Sequence, residues 1–168
     1  MDVNKNSYTF LFATAMVVVV AASLSFVATN LKPFQETNLE QEKMQSILSS
    51  IQIPVERSEA PKAFEAYIRE AIVLQEGEAV EGQDAFAIDL AKEIRKPDEK
   101  RLSPLYRAEK EGEIYYIIPL QGNGLWGPIW GYVSLKEDIN TVYGATFDHK
   151  AETPVLGAEI NTPVSVSY

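Results

Sequence analysis

The chain contains no cysteine, and only one of its 168 residues is a histidine. Without cysteine it cannot form disulfides, thiolate nucleophiles, or cysteine-ligated zinc or iron–sulfur sites. Basic residues are also scarce, with 15 lysines and arginines against 24 aspartates and glutamates. Because an acidic surface repels phosphate backbones and anionic lipid headgroups, we expect no nucleic acid among the partners.

The negative charge is concentrated after the first 32 residues. Asp2, Lys5 and Lys32 give residues 1–32 a charge of +1, which leaves −10 for residues 33–168. With 46% hydrophobic residues, the chain is long enough for one compact domain with an appendage.

Residues 7–31 contain no charged side chain, and their centre reads FLFATAMVVVVAASLSFVA. A helix needs about 20 apolar residues to cross the hydrocarbon layer of a membrane. Lys5 and Lys32 flank the run, as basic residues flank many membrane spans. We therefore predict a transmembrane helix over residues 8–31.

This helix divides the predicted organisation of the chain into three parts. Residues 1–7 would form a cytoplasmic stub, and residues 32–168 an extracytoplasmic domain. The alternative is a cleaved signal peptide, because Ser23 and Ser25 offer a small-residue spacing for cleavage. The apolar run is long for such a peptide, which favours a retained anchor.

Two amphipathic helices are predicted after the membrane segment. Thr37 and Glu40 form a capping-box pattern, and the apolar spacing that follows predicts a helix over residues 38–51. Pro61 suits the first turn of a second helix. Its apolar residues recur at i, i+3, i+4, i+7 and i+8, namely Phe64, Tyr67, Ile68, Ala71 and Ile72. An aromatic stripe of this kind can contact a cofactor, but it is more typical of core packing.

The pattern is weaker between Val73 and Lys110. Gly77 and Gly82 mark turns, and residues 89–101 carry many charges of both signs. Since these charges cancel, we interpret this part as a solvated segment without a binding site.

Four short segments rich in aromatic and β-branched residues predict strands at residues 105–108, 114–120, 129–135 and 141–147. They are separated by EKEG, QGNG and KEDIN, whose composition indicates antiparallel hairpins. The predicted class is therefore α+β: one N-terminal transmembrane helix followed by an antiparallel sheet with flanking helices.

Three features near the last strands are candidates for a functional site. Gly122, Asn123 and Gly124 could cradle a phosphate, but no predicted helix follows them, which favours a plain hairpin turn. Trp126 and Trp130 flank a Gly-Pro pair, so either they wall a flat ring such as a flavin or they pack in a core or interface.

The single histidine, His149, is the third candidate. It lies beside Asp148 and before Glu152, as a catalytic pair or a metal ligand would. No second histidine and no cysteine supports either role, so a surface or structural histidine is the favoured interpretation. We accordingly expect no catalytic residue and no metal ligand.

The segments GLWGPIWGYVSL, TVYGATFDHK and ETPVLGAEI resemble the C subunit of the sodium-translocating NADH:quinone reductase. The N-terminal membrane segment and the helical region fit the same family, so the resemblance extends to about Ile160. The G subunit of the Rnf electron-transport complex shares the flavin-binding domain and is the alternative family.

The resemblance implies a single-pass subunit of a bacterial inner membrane with its main domain on the periplasmic side. Its partners would be the lipid bilayer and the other subunits of the NADH:quinone reductase complex. The domain would carry FMN through a phosphoester to a threonine and would pass single electrons along the complex.

The resemblance also implies which residues contact the flavin. Trp126 matches the tryptophan of the family's Gly-Leu-Trp motif. The family's flavin-side loop is matched by Glu152, Thr153, Pro154, Leu156 and Gly157. Leu156 would cover a ring face, while the Thr153 hydroxyl and the Gly157 backbone would bond to the polar edge.

The sequence departs from the family in two places. Val155 stands where members usually have glycine, and a β-branched residue resists a positive φ at that position. The family's attachment motif, Ser-Gly-Ala-Thr, follows the Glu-Thr-Pro loop, so the attachment threonine is expected downstream of Tyr168 and the domain is expected to be incomplete at its C-terminus. The similar Tyr-Gly-Ala-Thr ending at Thr146 precedes the loop and lies in a predicted strand, so we do not expect attachment there.

The leading hypothesis is an FMN-carrying electron-transfer subunit, in which the protein positions the flavin and performs no acid–base chemistry. The alternative from another class is a membrane-anchored structural or assembly subunit without covalent flavin. An anchored extracytoplasmic sensor fits the architecture but has no residue in its support.

Overall fold

A computed structural model describes residues 6–125, 127–150 and 164–165, and the chain forms two units, Met1–Glu40 and Gln41–Tyr168. Helix α1, Asn6–Ser50, begins in the first unit and ends in the second. An 18-residue window of this helix has a mean hydropathy of 2.4, and no part of the window is buried. The helix is thus long and apolar enough to cross a membrane, a property that it shares with N-terminal signal sequences.

The predicted helix start at Thr37 is wrong, because Thr37 lies inside α1. Its hydroxyl donates to the carbonyl of Pro33 at 3.0 Å, four residues earlier. A cap satisfies backbone N–H groups at the beginning of a helix, and here the helix is already formed. The predicted end near residue 51 is confirmed, since α1 ends at Ser50.

Helix α2, Ala60–Tyr67, begins as predicted with Pro61 in its first turn. It ends earlier than predicted, because strand β1, Ile68–Gln75, follows directly. Ile68, Ala71 and Ile72 therefore lie in a strand and not on a helix. In the sheet Ile72 pairs with Leu105, a contact between distant residues that overrides the helical spacing of a β-branched segment.

The segment interpreted as solvated contains more structure than predicted. Gly77 and Gly82 are in turns with φ of +86° and +77°, as expected, and the short strand β2, Glu78–Val80, lies between them. A short helix α3, Leu90–Glu93, and a 3₁₀ turn, Asp98–Lys100, follow.

The remaining described strands confirm the four that were predicted and lengthen each of them. They are β3 (Ser103–Lys110), β4 (Glu113–Asn123), β5 (Pro128–Lys136) and β6 (Val142–His149). With the short β7, Val164–Ser165, the described residues form an antiparallel sheet in the order β2-β1-β3-β4-β5-β6-β7. The α+β class is confirmed.

The core lies between the end of α1 and one face of this sheet. Ile47, Leu48 and Ile51 from the helix end are fully buried. They belong to one cluster with strand residues that include Val73, Tyr106, Tyr115, Ile117 and Tyr132. The burial of these apolar side chains is the main interaction that holds the helix end to the sheet.

Polar contacts also fix the end of α1 to β3 and β5. The Ser134 hydroxyl donates to the Ser50 carbonyl at 2.5 Å, and Lys110 Nζ donates to the Ile51 carbonyl at 3.1 Å. These bonds satisfy carbonyls that have no partner within the helix. Gly144 makes the close approach possible, because a Cβ on it would lie 2.4 Å from the Ser50 oxygen.

We predict that Gly144→Ala destabilises the protein by about 2 kcal/mol, the cost typical of an overpacked core. The added methyl group would strike a backbone carbonyl that the surrounding bonds hold in place. Thermal or denaturant unfolding of the full chain in detergent measures the effect. Gly122→Ala is the matched control, since its Cβ would meet only the Ile129 side chain at an ordinary 3.9 Å. Equal stability of the two variants would contradict the prediction.

The buried tyrosines predict a loss of stability at alkaline pH. Burial raises the pKa of Tyr106 above its ordinary value of 10, and burial raises the pKa of Tyr132 in the same direction. Each phenol therefore stays protonated in the folded state at a pH where it ionises in the unfolded state. This contribution to stability is intact below about pH 10 and decreases as the pH rises further.

Tyr106→Phe should make the decrease in stability between pH 10 and 11 shallower than in the unchanged chain. The variant also loses the hydrogen bond from the Tyr106 hydroxyl to the Ala85 carbonyl at 3.2 Å, so its stability at neutral pH should be slightly lower. Denaturant midpoints measured across this pH range give the slope of the unfolding free energy against pH. An unchanged slope would show that Tyr106 ionises alike in both states.

Candidate functional site

The β4–β5 hairpin and the end of β6 meet at one end of the sheet. Asn123 pairs with Pro128, and the N–H of Gly124 donates to the Gly127 carbonyl at 2.7 Å. The plain hairpin turn predicted here is therefore confirmed, although Gly122 and Asn123 belong to β4 itself. Strand β5 begins at Pro128, so no helix follows the glycines as a phosphate-binding loop would require.

The end of β6 lies against this hairpin. His149 pairs with Ile129, and the N–H of Lys150 donates to the Pro128 carbonyl at 3.1 Å. Lys150 is two residues before Glu152. The two segments assigned to the flavin from the sequence therefore adjoin described residues that are close together, Pro128 for the hairpin segment and Lys150 for the segment after β6.

The predicted flavin-contacting side chains themselves, Trp126, Glu152, Thr153, Leu156 and Gly157, lie outside the described residues, as do Pro154 and Val155. Their assignment stays a prediction. The structure does describe Leu125 and Gly127, which precede and follow Trp126 in the sequence at the hairpin tip. Leu125 is apolar and 76% exposed.

The strands behind this end are closely packed. A Cβ on Gly131 would lie 2.3 Å from the Thr146 carbonyl and 2.4 Å from the Phe147 ring. The absence of a side chain at Gly131 therefore lets the Phe147 ring lie across β5. This packing holds β5 and β6 in register where they approach the hairpin tip.

Trp130 and His149, the other two candidates, lie on the paired strands β5 and β6. Trp130 is half-buried and pairs with Asp148. The backbone N–H of His149 donates to Asp148 Oδ1 at 2.7 Å. Within the described part of the chain, no group of three histidine or acidic side chains could hold a metal ion. Both residues lie within the sheet, and the interpretation of their side chains as structural stays a prediction.

A cleft of about 260 Å³ adjoins the same strand end and was not predicted. It is lined by Glu42, Gln45, Ser46 and Ser49 of α1, by Arg57, and by Thr146, Phe147 and Asp148 of β6. The i, i+3, i+4, i+7 spacing of the helix residues was visible in the sequence, but the strand opposite them was not.

A second cleft, of about 450 Å³, lies at the opposite end of the sheet between the β3–β4 and β5–β6 turns. Two of its acidic side chains, Glu113 and Asp138, have hydrogen-bond partners within the fold. Glu113 accepts a 2.6 Å bond from the Tyr115 hydroxyl, and Asp138 accepts bonds from Asn140 and Thr141 within its own turn. These bonds hold the pKa of Asp138 below its usual range, with the Thr141 hydroxyl contributing most. Asp138 therefore stabilises the β5–β6 turn, and Glu113 bonds within β4.

Comparison with known proteins gives one matching domain family, the FMN-binding domain, over residues 124–167. The C subunit of the Na(+)-translocating NADH-quinone reductase of Neisseria meningitidis serogroup A is 32% identical over 91% of this chain and 69% of its own length. The corresponding protein of Pseudomonas aeruginosa is 30% identical over 95% of this chain and 70% of its own length.

Solved structures share the fold as well. The crystal structure of the C subunit from Parabacteroides distasonis is 45% identical with a TM-score of 0.71, covering 78% of this chain and 64% of its own. The NqrC structure from Shewanella oneidensis is 19% identical with a TM-score of 0.59, covering 73% of this chain and 65% of its own, and it bears on the fold alone. The chain thus spans slightly less than two thirds of the solved chains it matches.

Proposed function

The chain belongs to the family of the C subunit of the Na(+)-translocating NADH-quinone reductase, and from this premise we propose that it is the FMN-carrying electron-transfer subunit of such a complex. The observation that carries the proposal is the match of the FMN-binding domain to residues 124–167. That match begins at the β4–β5 hairpin tip and runs through β5 and β6. We therefore propose that the site lies at the end of the sheet where the hairpin and the end of β6 adjoin, a placement that the matched range supports.

The described residues at this end of the sheet fit a flavin in two ways. Leu125 is an exposed apolar side chain that a flat ring could cover, and Lys150 is an exposed cation that could pair with a phosphate. Trp126, Leu156, Thr153, Glu152 and Gly157 would supply the direct contacts. Bound FMN supplies the electron-transfer chemistry, and the protein's part is to hold it and exclude water from its faces.

A membrane-anchored subunit of an oxidoreductase complex agrees with the apolar half of α1. We infer a single crossing by residues 8–31, a short cytoplasmic stub at residues 1–7 and a periplasmic domain from residue 32. The other subunits of the complex are the expected partners, together with the surrounding lipid.

The alternative functions are less well supported. An assembly subunit without flavin does not explain a matching FMN-binding domain, and the curated relatives named above are C subunits, not G subunits of an Rnf complex. Covalent attachment through a threonine downstream of Tyr168 concerns residues outside this sequence and stays a prediction.

Two measurements on the full chain in detergent test the proposal. Titration with FMN should quench the flavin fluorescence with a stoichiometry of one per chain. An affinity-tagged copy, produced together with the other subunits of the complex, should retain them through purification. A chain that binds no flavin and retains no subunit would overturn the proposal.

We predict that Val155→Gly increases the FMN affinity or occupancy, because glycine adopts a positive φ without strain and valine does not. An increase of about threefold to tenfold corresponds to relief of about 1 kcal/mol of backbone strain. Val142→Gly is the matched control, since Val142 is 41% exposed at the other end of β6. An unchanged or weakened affinity in the Val155 variant would argue against strain in this loop.

A further inference from the structure

We propose that the β5–β6 turn and the adjoining end of the sheet form a docking surface, anchored by Ile139, for a protein partner whose contact surface is basic and apolar. The inference rests on the proposed function for the identity of this partner, which is another subunit of the complex. The surface lies at the end of the sheet opposite the hairpin tip, so it involves none of the predicted flavin contacts.

Ile139 has a backbone conformation that is costly for its residue type. Its φ is +52°, in the left-handed region where glycine, asparagine and aspartate are the usual residues. A β-branched side chain is strained there. Asn140, whose type suits this conformation, stands directly after it. The turn itself therefore gains nothing from an isoleucine at position 139.

Hydrogen bonds on both sides hold Ile139 in this conformation. Its own N–H donates to the Lys136 carbonyl at 2.9 Å. Asp138 Oδ1 accepts from the N–H groups of Asn140 at 3.0 Å and Thr141 at 2.9 Å. A backbone that is fixed before binding lowers the entropy lost when a partner covers the side chain.

The same side chain is exposed to solvent. Ile139 is 67% exposed, and Val142 at the start of β6 is 41% exposed. A single exposed apolar residue is common on protein surfaces, so exposure alone indicates little. In the described part of the chain, the other non-glycine residues with a positive φ are polar, namely Gln52, Glu76 and Glu111. Ile139 thus combines backbone strain with an exposed apolar side chain, a combination that a partner covering it explains.

Apolar side chains continue from the turn across the neighbouring strands. Val142 pairs with Leu135, and Leu135 pairs with Tyr116. Tyr115 and Ile117, on either side of Tyr116, are buried in the core, so this row lies on the face of the sheet away from the core. The row and two flanking isoleucines form the turn patch, which consists of Ile114, Tyr116, Leu135, Ile139 and Val142.

The cleft of about 450 Å³ borders the turn patch at Ile114. The side chains of Glu113, Lys136, Glu137 and Asp138 line it. Its volume is in the range that accommodates drug-sized ligands, so one lysine or arginine side chain fits. Carboxylates around the opening favour such a cation, and an inserted side chain of this kind is a common anchor of protein interfaces.

The charges around the turn patch determine which kind of partner fits. Glu111, Glu113, Glu137 and Asp138 are acidic and exposed, against Lys136 on the same cleft. A second copy of this chain would bring the same acidic groups together in a symmetric contact, and anionic lipid headgroups would meet like charge. A different protein with lysines or arginines around an apolar centre avoids both conflicts.

The first test uses the absence of cysteine from the chain. Ile139→Cys introduces one thiol in the turn patch, and Glu76→Cys introduces one in the β1–β2 turn, where φ is also +52°. Maleimide labelling is timed on the isolated chain in detergent and on the chain produced with the other subunits of the complex. Labelling at position 139 should be about tenfold slower in the complex, because a buried anchor is closed off from solvent, and labelling at position 76 should be unchanged.

The second test separates association from folding. Ile139→Asn places a residue suited to positive φ in the turn, so it should raise the Tm of the isolated chain by about 2–4 °C. The same change removes the apolar anchor, so the other subunits should dissociate from the affinity-tagged chain about tenfold faster. Because a damaged fold lowers the Tm, the two readouts together distinguish lost docking from lost structure.

Glu76→Asn is the matched control, since Glu76 has the same φ and is exposed in a turn outside the turn patch. It should not lower the Tm and should leave the dissociation of the other subunits unchanged.

The charge of the partner is tested by Glu137→Gln. This variant should speed dissociation about threefold at low salt, the effect of one exposed ion pair. At about 0.5 M salt the effect should disappear, because the ions screen exposed charges. Slower dissociation of the variant at low salt would overturn the assignment of a basic partner.

The outcomes are distinct. Retained subunits whose dissociation Ile139→Asn does not change, or labelling that the complex slows equally at positions 139 and 76 or at neither, would overturn the docking surface and leave the proposed function intact. An unchanged chain that binds FMN and retains no subunit would do the same. Labelling at position 139 that slows as the isolated chain is concentrated would identify a second copy as the occupant and overturn the choice of partner. An unchanged chain that binds no FMN and retains no subunit would overturn the proposed function itself.

Discussion

The contact between the Ser50 carbonyl and β5–β6 determines how the rest of the domain is arranged. A helix end leaves its last carbonyls without partners, and Ser134 and Lys110 provide donors for the carbonyls of Ser50 and Ile51. Gly144 allows this approach, because any side chain there would meet the Ser50 oxygen. The end of the helix is thereby fixed to β3 through Lys110 and to β5 and β6, which lie within the FMN-binding domain match.

Fixing the helix end gives its two faces different surroundings. Ile47, Leu48 and Ile51 are turned into the core, where their burial stabilises the domain. The polar residues on the neighbouring face of the helix, from Glu42 to Ser49, lie at the edge of the same interface, opposite Thr146 and Asp148. Burying a polar group at such an edge costs little free energy when water or a ligand forms a hydrogen bond with it, and considerably more when neither does. The same helix end thus completes the core and forms one wall of a polar cleft.

The sequence predicted the parts of this fold that depend on local signals. Alternating residues and glycine-rich turns identified β3 to β6, because such hairpins are specified by neighbouring residues. Strand β1 was misread as helix because IREAIVLQ satisfies both spacings, and only its pairing with β3 decides between them. The same limit applies to the site. The family motifs predict a site at the hairpin end and in the segment after β6, a prediction that stays open, whereas the cleft between α1 and β6 brings together residues about 100 positions apart, and no local pattern predicts that contact.

The negative charge of the domain sets a further condition on any site that holds a phosphate. Residues 33–168 carry a formal charge of −10, which repels an anion at long range. Salt screens exposed charges beyond roughly 8–10 Å, so contacts at closer range determine whether an anion stays bound. At that range Arg57 pairs with Glu42, and Asp148 keeps its charge although the His149 amide donates to one of its oxygens. An acidic domain of this kind repels anionic partners over most of its surface, so an anion that it does bind has to be held by close cationic or hydrogen-bonding contacts.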